Sequence, residues 1–216
     1  MAKVQAAGGR RSGGWRALGW FLFGIALYCA TSLLLGSRFS AEAAARLHPS
    51  IGDGPALIGQ ADARRYRFFF FEDVEHYRTV AVRRRLPFWK ALPESYYAPK
   101  RGEAVRLAGW YSIDRRTVRY TVVPVLCLDG QVAELQMGPP DRRKTLPCGE
   151  GEGLVVFVWN RRVRWSELDG LALDAQGGVR YRLGYEDRGA LTTADDIRWF
   201  EELSKGGGAQ GDQGGP

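Results

Sequence analysis

An uncharged apolar segment near the start of the sequence constrains the fold more than any other feature. No charged side chain occurs between Ala17 and Ser37, and Arg16 and Arg38 lie directly on either side. At ~1.5 Å of rise per residue, a helix of this length spans the ~30 Å hydrocarbon layer of a bilayer. We therefore predict a transmembrane anchor at 17–37, whose partner is the lipid bilayer.

The charges on the two sides of this segment predict its orientation. Four of the 31 basic residues precede it without any acidic residue, and the remaining 27 are nearly balanced by 24 acidic residues. Basic flanks stay on the cytoplasmic side of a membrane. We predict a disordered cytoplasmic stub at 1–16 and a single-pass protein of the cell membrane, with its C-terminal domain outside the cytoplasm. The high pI is then mostly a topology signal.

Cleavage of the apolar segment as a signal peptide is the main alternative. Ala41-Glu42-Ala43 fits the A-x-A pattern of a cleavage site a few residues beyond the apolar run. Signal peptides, however, have apolar regions of only ~7–15 residues, which favours a retained signal anchor. A secreted soluble protein, cut near Ala43, remains the alternative.

The rest of the sequence divides into a linker, one domain and a tail. We predict a stalk at 38–60, in which a short helix ends before Pro49 because proline interrupts helices. Residues 61–204 are sufficient for one domain with its own core. Residues 205–216 are rich in glycine and predict a disordered tail.

Runs of β-branched and aromatic residues separated by turn residues predict that the domain is mainly β. The expected architecture is an antiparallel sheet, a sandwich or a small barrel. The predicted strands are 65–71, 77–84, 104–111, 117–128, 131–137, 154–160, 171–174 and 179–185. The run Phe68–Phe71 does not alternate with polar residues, so we expect both faces of its strand to be covered.

Two hairpins and one proline refine this prediction. Asp129-Gly130 favours a type I′ turn between strands 117–128 and 131–137. The glycine-containing segment Asp174–Gly178 is expected to join the last two strands. Pro124 cannot donate a backbone hydrogen bond, so its strand should lie at a sheet edge or be bulged there.

A C-terminal helix is predicted to cap the sheet. Thr193-Ala194-Asp195-Asp196 resembles a capping box with aspartate in place of glutamate. Ile197, Phe200 and Leu203 then recur at a spacing that gives one apolar helix face. We expect that face to pack on the sheet.

Histidine is too scarce to support most catalytic or metal sites. The sequence has only His48, in the predicted stalk, and His76. Glu72 and His76 could begin a metal site, but zinc needs three or four ligands and no histidine or cysteine pair lies elsewhere. We expect a solvated acidic turn there, and we predict no metal ligands, no cofactor-binding residues and no catalytic residues.

Two further motifs have structural interpretations. Gly149–Gly153 lacks the lysine and hydroxyl residues of a phosphate loop, so we expect a mobile connection. Cys127 and Cys148 are a candidate disulfide outside the cytoplasm, worth about 3 kcal/mol by loop closure. Alternatively, Cys127 is a small buried hydrophobe and Cys148 a loop thiol.

Clustered arginines raise the question of a polyanionic partner. The clusters lie at 64–67, 83–85, 115–119, 142–144 and 161–164. The predicted topology argues against nucleic acid and leaves lipid headgroups or anionic envelope polymers. Solvated strand ends are the simpler interpretation.

Several segments resemble a group of uncharacterised single-pass bacterial membrane proteins with an extracytoplasmic β-rich domain. The segments are Ala108-Gly109-Trp110, Val132–Gly138, Phe157-Val158-Trp159 with Trp165, Tyr181–Tyr185 and Ile197-Arg198-Trp199. The resemblance covers most of the domain after about residue 65 and implies the same architecture, without a function.

Two functional hypotheses follow from these patterns. The first is a non-enzymatic, membrane-anchored binding or structural module outside the cytoplasm, which binds an envelope protein or an anionic polymer. The alternative is a membrane-anchored envelope hydrolase that uses carboxylates, with or without His76. The hydrolase requires a cleft in which Glu72, Asp73 or His76 meets distant acidic residues.

Overall fold

A long apolar helix precedes a domain built from antiparallel strands. The computed structural model describes residues 12–51, 54–116, 118–149, 153–185 and 196–202. Helix α1 (Ser12–Leu34) contains a stretch long and apolar enough to cross a membrane, Gly14–Leu34, which lies near the N-terminus. None of the residues Gly14–Leu34 is buried within the protein. Most of the predicted stub and all of the predicted tail lie outside the described residues.

Thirteen strands in the described part of the chain form three antiparallel sheets, which confirms the prediction of a mainly β fold. The first sheet contains, in order, β1 (Ala56–Ala63), β2 (Tyr66–Glu72), β3 (His76–Arg85) and β4 (Phe88–Pro99). The second contains β5 (Val105–Leu107), β6 (Tyr111–Arg115), β7 (Val118–Cys127) and β10 (Gly153–Trp159). The third contains β8 (Glu134–Gly138), β9 (Lys144–Pro147), β11 (Asp169–Leu173), β12 (Val179–Tyr185) and β13 (Ile197–Glu201).

The second sheet is the shared wall of two packed layers. Side chains of β7 alternate across it, so that Val122 packs toward the first sheet and Val123 toward the third. Both layers are filled by large apolar side chains, including Phe68 and Phe70 on one side and Phe157 and Trp199 on the other. Because both faces of β7 are buried, its sequence reads as a nearly continuous apolar run.

The first sheet is covered on its other face by the short helix α2 (Ala41–Arg46). Phe69 and Phe71 point to this side, where Ala44 and Ala45 are fully buried against the sheet. The prediction that both faces of the Phe68–Phe71 strand are covered is therefore confirmed. Small alanine side chains allow the helix to lie close to the strands, because they leave little volume between the two backbones.

We predicted a stalk at 38–60, but in the structure much of this segment belongs to the packed domain. The backbone of Arg38 pairs with that of Trp89 in both directions, at 2.8 and 2.6 Å. Helix α2 follows on the sheet, and β1 begins at Ala56. The strands of the domain thus begin before the predicted boundary at residue 61.

The two predicted hairpins have different outcomes. Asp174–Gly178 joins β11 to β12, as predicted, and its Gly177 adopts a positive φ of 82° that favours glycine. Asp129-Gly130 does not form a hairpin, because β7 and β8 belong to different sheets. This turn instead carries the chain from the second sheet to the third. The type I′ prediction was wrong because β7 pairs with β5, β6 and β10, and β8 pairs with β9 and β11, so the two strands do not pair with each other.

The strand predicted at 104–111 is interrupted, and Pro124 lies opposite the interruption. Strands β5 and β6 both pair with β7, and Ala108–Trp110 separate them. β7 is not an edge strand. The irregularity that we expected at Pro124 is instead the break between β5 and β6 in the neighbouring strand. A Cβ atom on Gly109 would lie 2.5 Å from the Thr79 hydroxyl and 3.3 Å from Pro124, so only glycine fits this close approach.

The predicted C-terminal capping helix is replaced by a strand over the described residues. Ile197–Glu201 form β13, which pairs antiparallel with β12. Ile197 and Trp199 are buried on one face of this strand, so the alternation of period two determines its structure. Residues 193–195 of the capping box predicted at 193–196, together with Leu203, lie outside the described residues. Strands β1, β4 and β9 were not predicted.

Candidate functional site

A groove of about 790 Å³ lies where the anchor meets the domain. We call it the anchor groove. It is formed by the end of α1, by α2 and the turn after it, and by β4. The residues that line it are Leu35, Gly36, Ala44, Leu47, His48, Pro49, Ser50, Lys90, Ala91, Leu92, Pro93, Ser95 and Tyr97.

The anchor ends in a specific cap that fixes it to β4. Gly36 adopts a positive φ of 82°, and the backbone N–H of Leu35 and Ser37 donate to carbonyls of the last helical turns at 3.0 Å. Such a left-handed glycine is a common helix terminator. The Arg38 guanidinium also donates to the carbonyls of Leu33 and Ser37, at 3.1 and 2.8 Å. The first residues after the anchor are therefore held beside β4.

His48 forms part of the groove lining and is almost fully buried, at 8% exposure. Its Nε2 lies 3.1 Å from the Pro93 carbonyl oxygen, which can only accept, so Nε2 carries the proton. Its Nδ1 then accepts from the Ser50 hydroxyl at 2.7 Å and from the Ser50 backbone N–H at 3.2 Å. Both ring nitrogens are occupied by structural hydrogen bonds. From the sequence we expected His48 in a stalk with little cavity around it, so its burial beside the groove was not predicted.

The walls of the anchor groove are mainly apolar and run away from the end of α1. Leu35 lies at the end next to the anchor, and Tyr97 lies toward the far end of β4. Lys90 and Tyr97 pair with Arg83 and Arg78 of β3, so the bulged segment between them spans about 17 Å at ~3.3 Å per residue. This length and composition suit an extended apolar chain, with Lys90 providing positive charge at the end nearest the anchor.

A small basic pocket of about 140 Å³ adjoins the groove and shares its wall from Lys90 to Pro93. The cations around it are Arg83, Arg85, Lys90 and Arg115. Within the described residues, none of the four forms a salt bridge. Arg83 and Lys90 are cross-strand partners, which brings two like charges together without an acid to balance them.

Arginines in other predicted clusters are paired with acids. Asp114 contacts Arg119 at 3.0 Å and Arg162 at 3.2 Å. Asp169 contacts Arg143, and Asp62 contacts Arg67 at 2.5 Å. Further pairs join Arg161 to Asp141 and Glu167, and Arg142 to Asp141. These contacts agree with the interpretation of solvated, charge-balanced strand ends.

The acidic turn before β3 is held together by structural contacts. Glu72 pairs with Lys100 at 2.5 Å, and the Asp73 carboxylate accepts from Arg78 Nε at 2.6 Å. Burial raises the pKa of Asp73, but backbone N–H groups of His76 and Glu75, together with Arg78, hold that pKa below its ordinary value. His76 is half-exposed and its Nδ1 lies 3.9 Å from Asp73. The structure thus places all three predicted residues in one turn.

Side chains that could bind a metal ion do not cluster elsewhere in the described part of the chain. Across the described ranges, no set of three or more histidine, cysteine, aspartate or glutamate side chains could hold a metal ion. Most of the glycine-rich segment predicted at 149–153 lies outside the described residues.

The thiols of Cys127 and Cys148 lie within hydrogen-bonding reach of each other and are not bonded. Cys127 is buried at the end of β7, and Cys148 is half-buried after β9. The hydrogen bond from Cys148 lowers the pKa of Cys127, and the same bond together with burial raises the pKa of Cys148. The disulfide between these two residues remains a prediction, now with the two sulfur atoms adjacent.

The alanines of the segment 41–46 are a sequence signal for the packed helix that borders the groove. Ala41, Ala44 and Ala45 are spaced so that they share one helix face, and all three are buried on the sheet. A stripe of alanines shortly after a long apolar helix indicates a packed helix more than a solvated stalk.

Comparison with protein-family models, curated proteins and solved structures gives no match to this chain.

Proposed function

We propose that this chain is a membrane-anchored binding module that takes the apolar part of a lipid-type amphiphile from the bilayer into the anchor groove. In this proposal the anchor is retained, the N-terminus is cytoplasmic and the β domain lies outside. The observation that carries the proposal is the position of the groove. Its first lining residues, Leu35 and Gly36, directly follow a helix that can span a membrane.

The chemistry of the groove favours an amphiphile as its occupant. Pockets that bind small molecules are mostly apolar, with a few polar groups at defined places. Leu35, Leu47 and Leu92 give apolar contact along the groove, and Lys90 offers a cation near the bilayer end. An acyl chain would lie along β4, and its headgroup would remain near Lys90.

Binding is favoured over hydrolysis by the state of the candidate catalytic side chains. His48, the histidine in the groove, uses both ring nitrogens for hydrogen bonds within the domain. Glu72 and Asp73 are each paired with a basic side chain. A general base works best with a pKa near the operating pH, so the contacts that hold the pKa of Asp73 below its ordinary value disfavour it in that role.

Retention of the anchor is favoured by the place of the A-x-A motif in the fold. Ala41 and Ala43 lie within α2, where Ala41 is buried. Cleavage near Ala43 would divide this helix and remove Arg38, which pairs with Trp89. The folded domain therefore uses residues that signal cleavage would discard.

A photoreactive lipid tests the proposal. The full chain is reconstituted in nanodiscs of phosphatidylcholine that carries a diazirine in one acyl chain, and lipid adducts are mapped by mass spectrometry after illumination. We expect adducts on α1, which is surrounded by lipid, and additional adducts on groove residues such as Leu47 and Tyr97. The adducts on α1 serve as an internal control for labelling.

A groove-filling variant provides the specificity control. Ser95→Trp places a large side chain in the groove and should remove most of the adducts at Leu47 and Tyr97. Ser166→Trp makes the same substitution at an exposed serine outside the groove and should leave them unchanged. Adducts confined to α1 in the unsubstituted chain would refute the lipid groove, and would leave an envelope protein as the candidate occupant.

A further inference from the structure

Eight basic side chains gather at the end of the domain that faces the anchor. They lie in three turns or in the strand ends next to them: between β1 and β2, between β3 and β4, and between β6 and β7. We call this group the basic end, and it consists of Arg64, Arg65, Arg83, Arg84, Arg85, Lys90, Arg115 and Arg116. Strand register places the first two turns together, since Tyr66 pairs with both Ala63 and Arg83. The basic pocket places Arg115 beside Arg83 and Arg85.

The charge at this end is not neutralised by the protein. No salt bridge to any of the eight cations occurs among the described residues. The nearby acids Asp62 and Asp114 are already paired with Arg67, Arg119 and Arg162. Glu94 lines a pocket together with Arg115 but forms no salt bridge with it among the described residues. Like charges at this density repel one another, so the arrangement favours a bound anion.

The hairpin formed by β3 and β4 contacts the anchor helix α1. The ring centroid of Phe88 lies 6.0 Å from that of Tyr28 in α1 and 4.8 Å from that of Phe39. Tyr28 is six residues before the end of α1 at Leu34, or about 9 Å along the helix axis. The tip of the hairpin, Leu86, is 72% exposed beside this membrane helix.

We propose that the basic end is a docking surface for anionic lipid headgroups, with Leu86 inserted at the interface of the leaflet that it faces. Cationic side chains next to a membrane helix attract anionic lipid phosphates, and apolar tips enter the headgroup boundary. The occupant is the bilayer because the same turn contacts the anchor. The inference rests on the retained anchor proposed above, but not on occupancy of the groove.

Lipid binding to the full chain in detergent tests this inference. Native mass spectrometry measures the apparent affinity for phosphatidylglycerol, which is anionic, and for phosphatidylcholine, which is zwitterionic. We expect phosphatidylglycerol to bind at least 25-fold more tightly, since two of the eight cations alone account for that factor at roughly fivefold each. Arg85→Gln with Arg115→Gln should weaken phosphatidylglycerol binding about 25-fold, roughly fivefold per cation at a membrane surface, and leave phosphatidylcholine binding unchanged.

Charge removal elsewhere gives the matched control. Arg142→Gln with Arg182→Gln removes two exposed cations of the third sheet and its adjoining turn, and gives the same net charge. This control should retain the preference for phosphatidylglycerol within about twofold. Equal losses in both double variants, or equal binding of the two lipids by the unsubstituted chain, would overturn the inference. Thermal unfolding of each variant identifies loss of folding.

The two proposals fail in different ways. Groove adducts are measured with phosphatidylcholine and do not depend on anionic headgroups. Loss of the phosphatidylglycerol preference with intact groove adducts would refute only the basic-end inference. Absence of groove adducts with an intact preference would refute only the proposed ligand groove.

Discussion

At the scale of single residues, Asp129 illustrates how one side chain can stabilise a connection between sheets. Its carboxylate accepts from Arg180 Nε and from the Tyr181 hydroxyl, both at 3.0 Å, and from the Gln131 backbone N–H at 2.9 Å. Burial raises the pKa of Asp129, but these three donors together hold it below its ordinary value. An aspartate that the sequence assigned to a local turn thus ties the turn to a strand about fifty residues away.

Asp129→Asn should therefore destabilise the domain by about 2 kcal/mol at neutral pH, since it removes a charged acceptor from an almost buried site. Because the folded-state pKa is lowered, the stabilisation is present above the unfolded pKa of about 3.9 and is lost as pH falls through the folded pKa. The difference between the two proteins should therefore shrink below about pH 4. Thermal unfolding of both proteins in detergent at pH 7 and pH 3 measures this difference in stability.

Asp141→Asn is the control, because its carboxylate is 63% exposed and makes only long contacts with Arg142 and Arg161. It should change the stability by less than about 0.5 kcal/mol. An Asp129→Asn protein as stable as the unsubstituted chain at pH 7 would show that the three hydrogen bonds contribute little.

At the scale of elements, strand positions were more predictable than strand partners. The runs at 65–71, 77–84 and 179–185 have strong β propensity and were located to within one residue. Strand 117–128 pairs with its sequence neighbour β6 but also with the distant strand β10, and that second partner could not be read locally. β4 was missed because Pro93 interrupts its pattern, although proline is tolerated here in an edge strand. The C-terminal helix was predicted from Ile197, Phe200 and Leu203, whereas the strand buries Ile197 and Trp199 and leaves Phe200 exposed.

The docking of α2 is the element-level feature that most changes the predicted architecture. Ala45 is fully buried against the first sheet, whereas Ala43 of the same helix is exposed. Ala45→Leu should overpack this contact and destabilise the domain by about 1–3 kcal/mol. Ala43→Leu adds the same atoms to the same helix and should have almost no effect. Chemical denaturation of the two variants compares them, and equal stabilities would contradict the packed helix.

At the scale of the whole molecule, the domain has distinct ends. The end next to α1 carries the basic side chains and the start of the anchor groove. The opposite end carries the acidic turn with Glu72 and Asp73, separated from the basic end by the length of β3. The sequence predicted the anchor and the abundance of arginine, because both are visible in composition. It did not show that the unpaired arginines share one end, because their turns meet only through strand pairing.

The central claim is that the end of the domain with the groove and the basic side chains faces the bilayer. Incorporation of the photoreactive residue p-benzoylphenylalanine at position 86 or at position 74 tests it most directly. Leu86 and Val74 are 72% and 92% exposed, and they occupy turns at opposite ends of β3. After illumination of the full chain in nanodiscs, lipid adducts at position 86 and none at position 74 are the predicted result. Adducts at position 74, or none at position 86, would contradict the account.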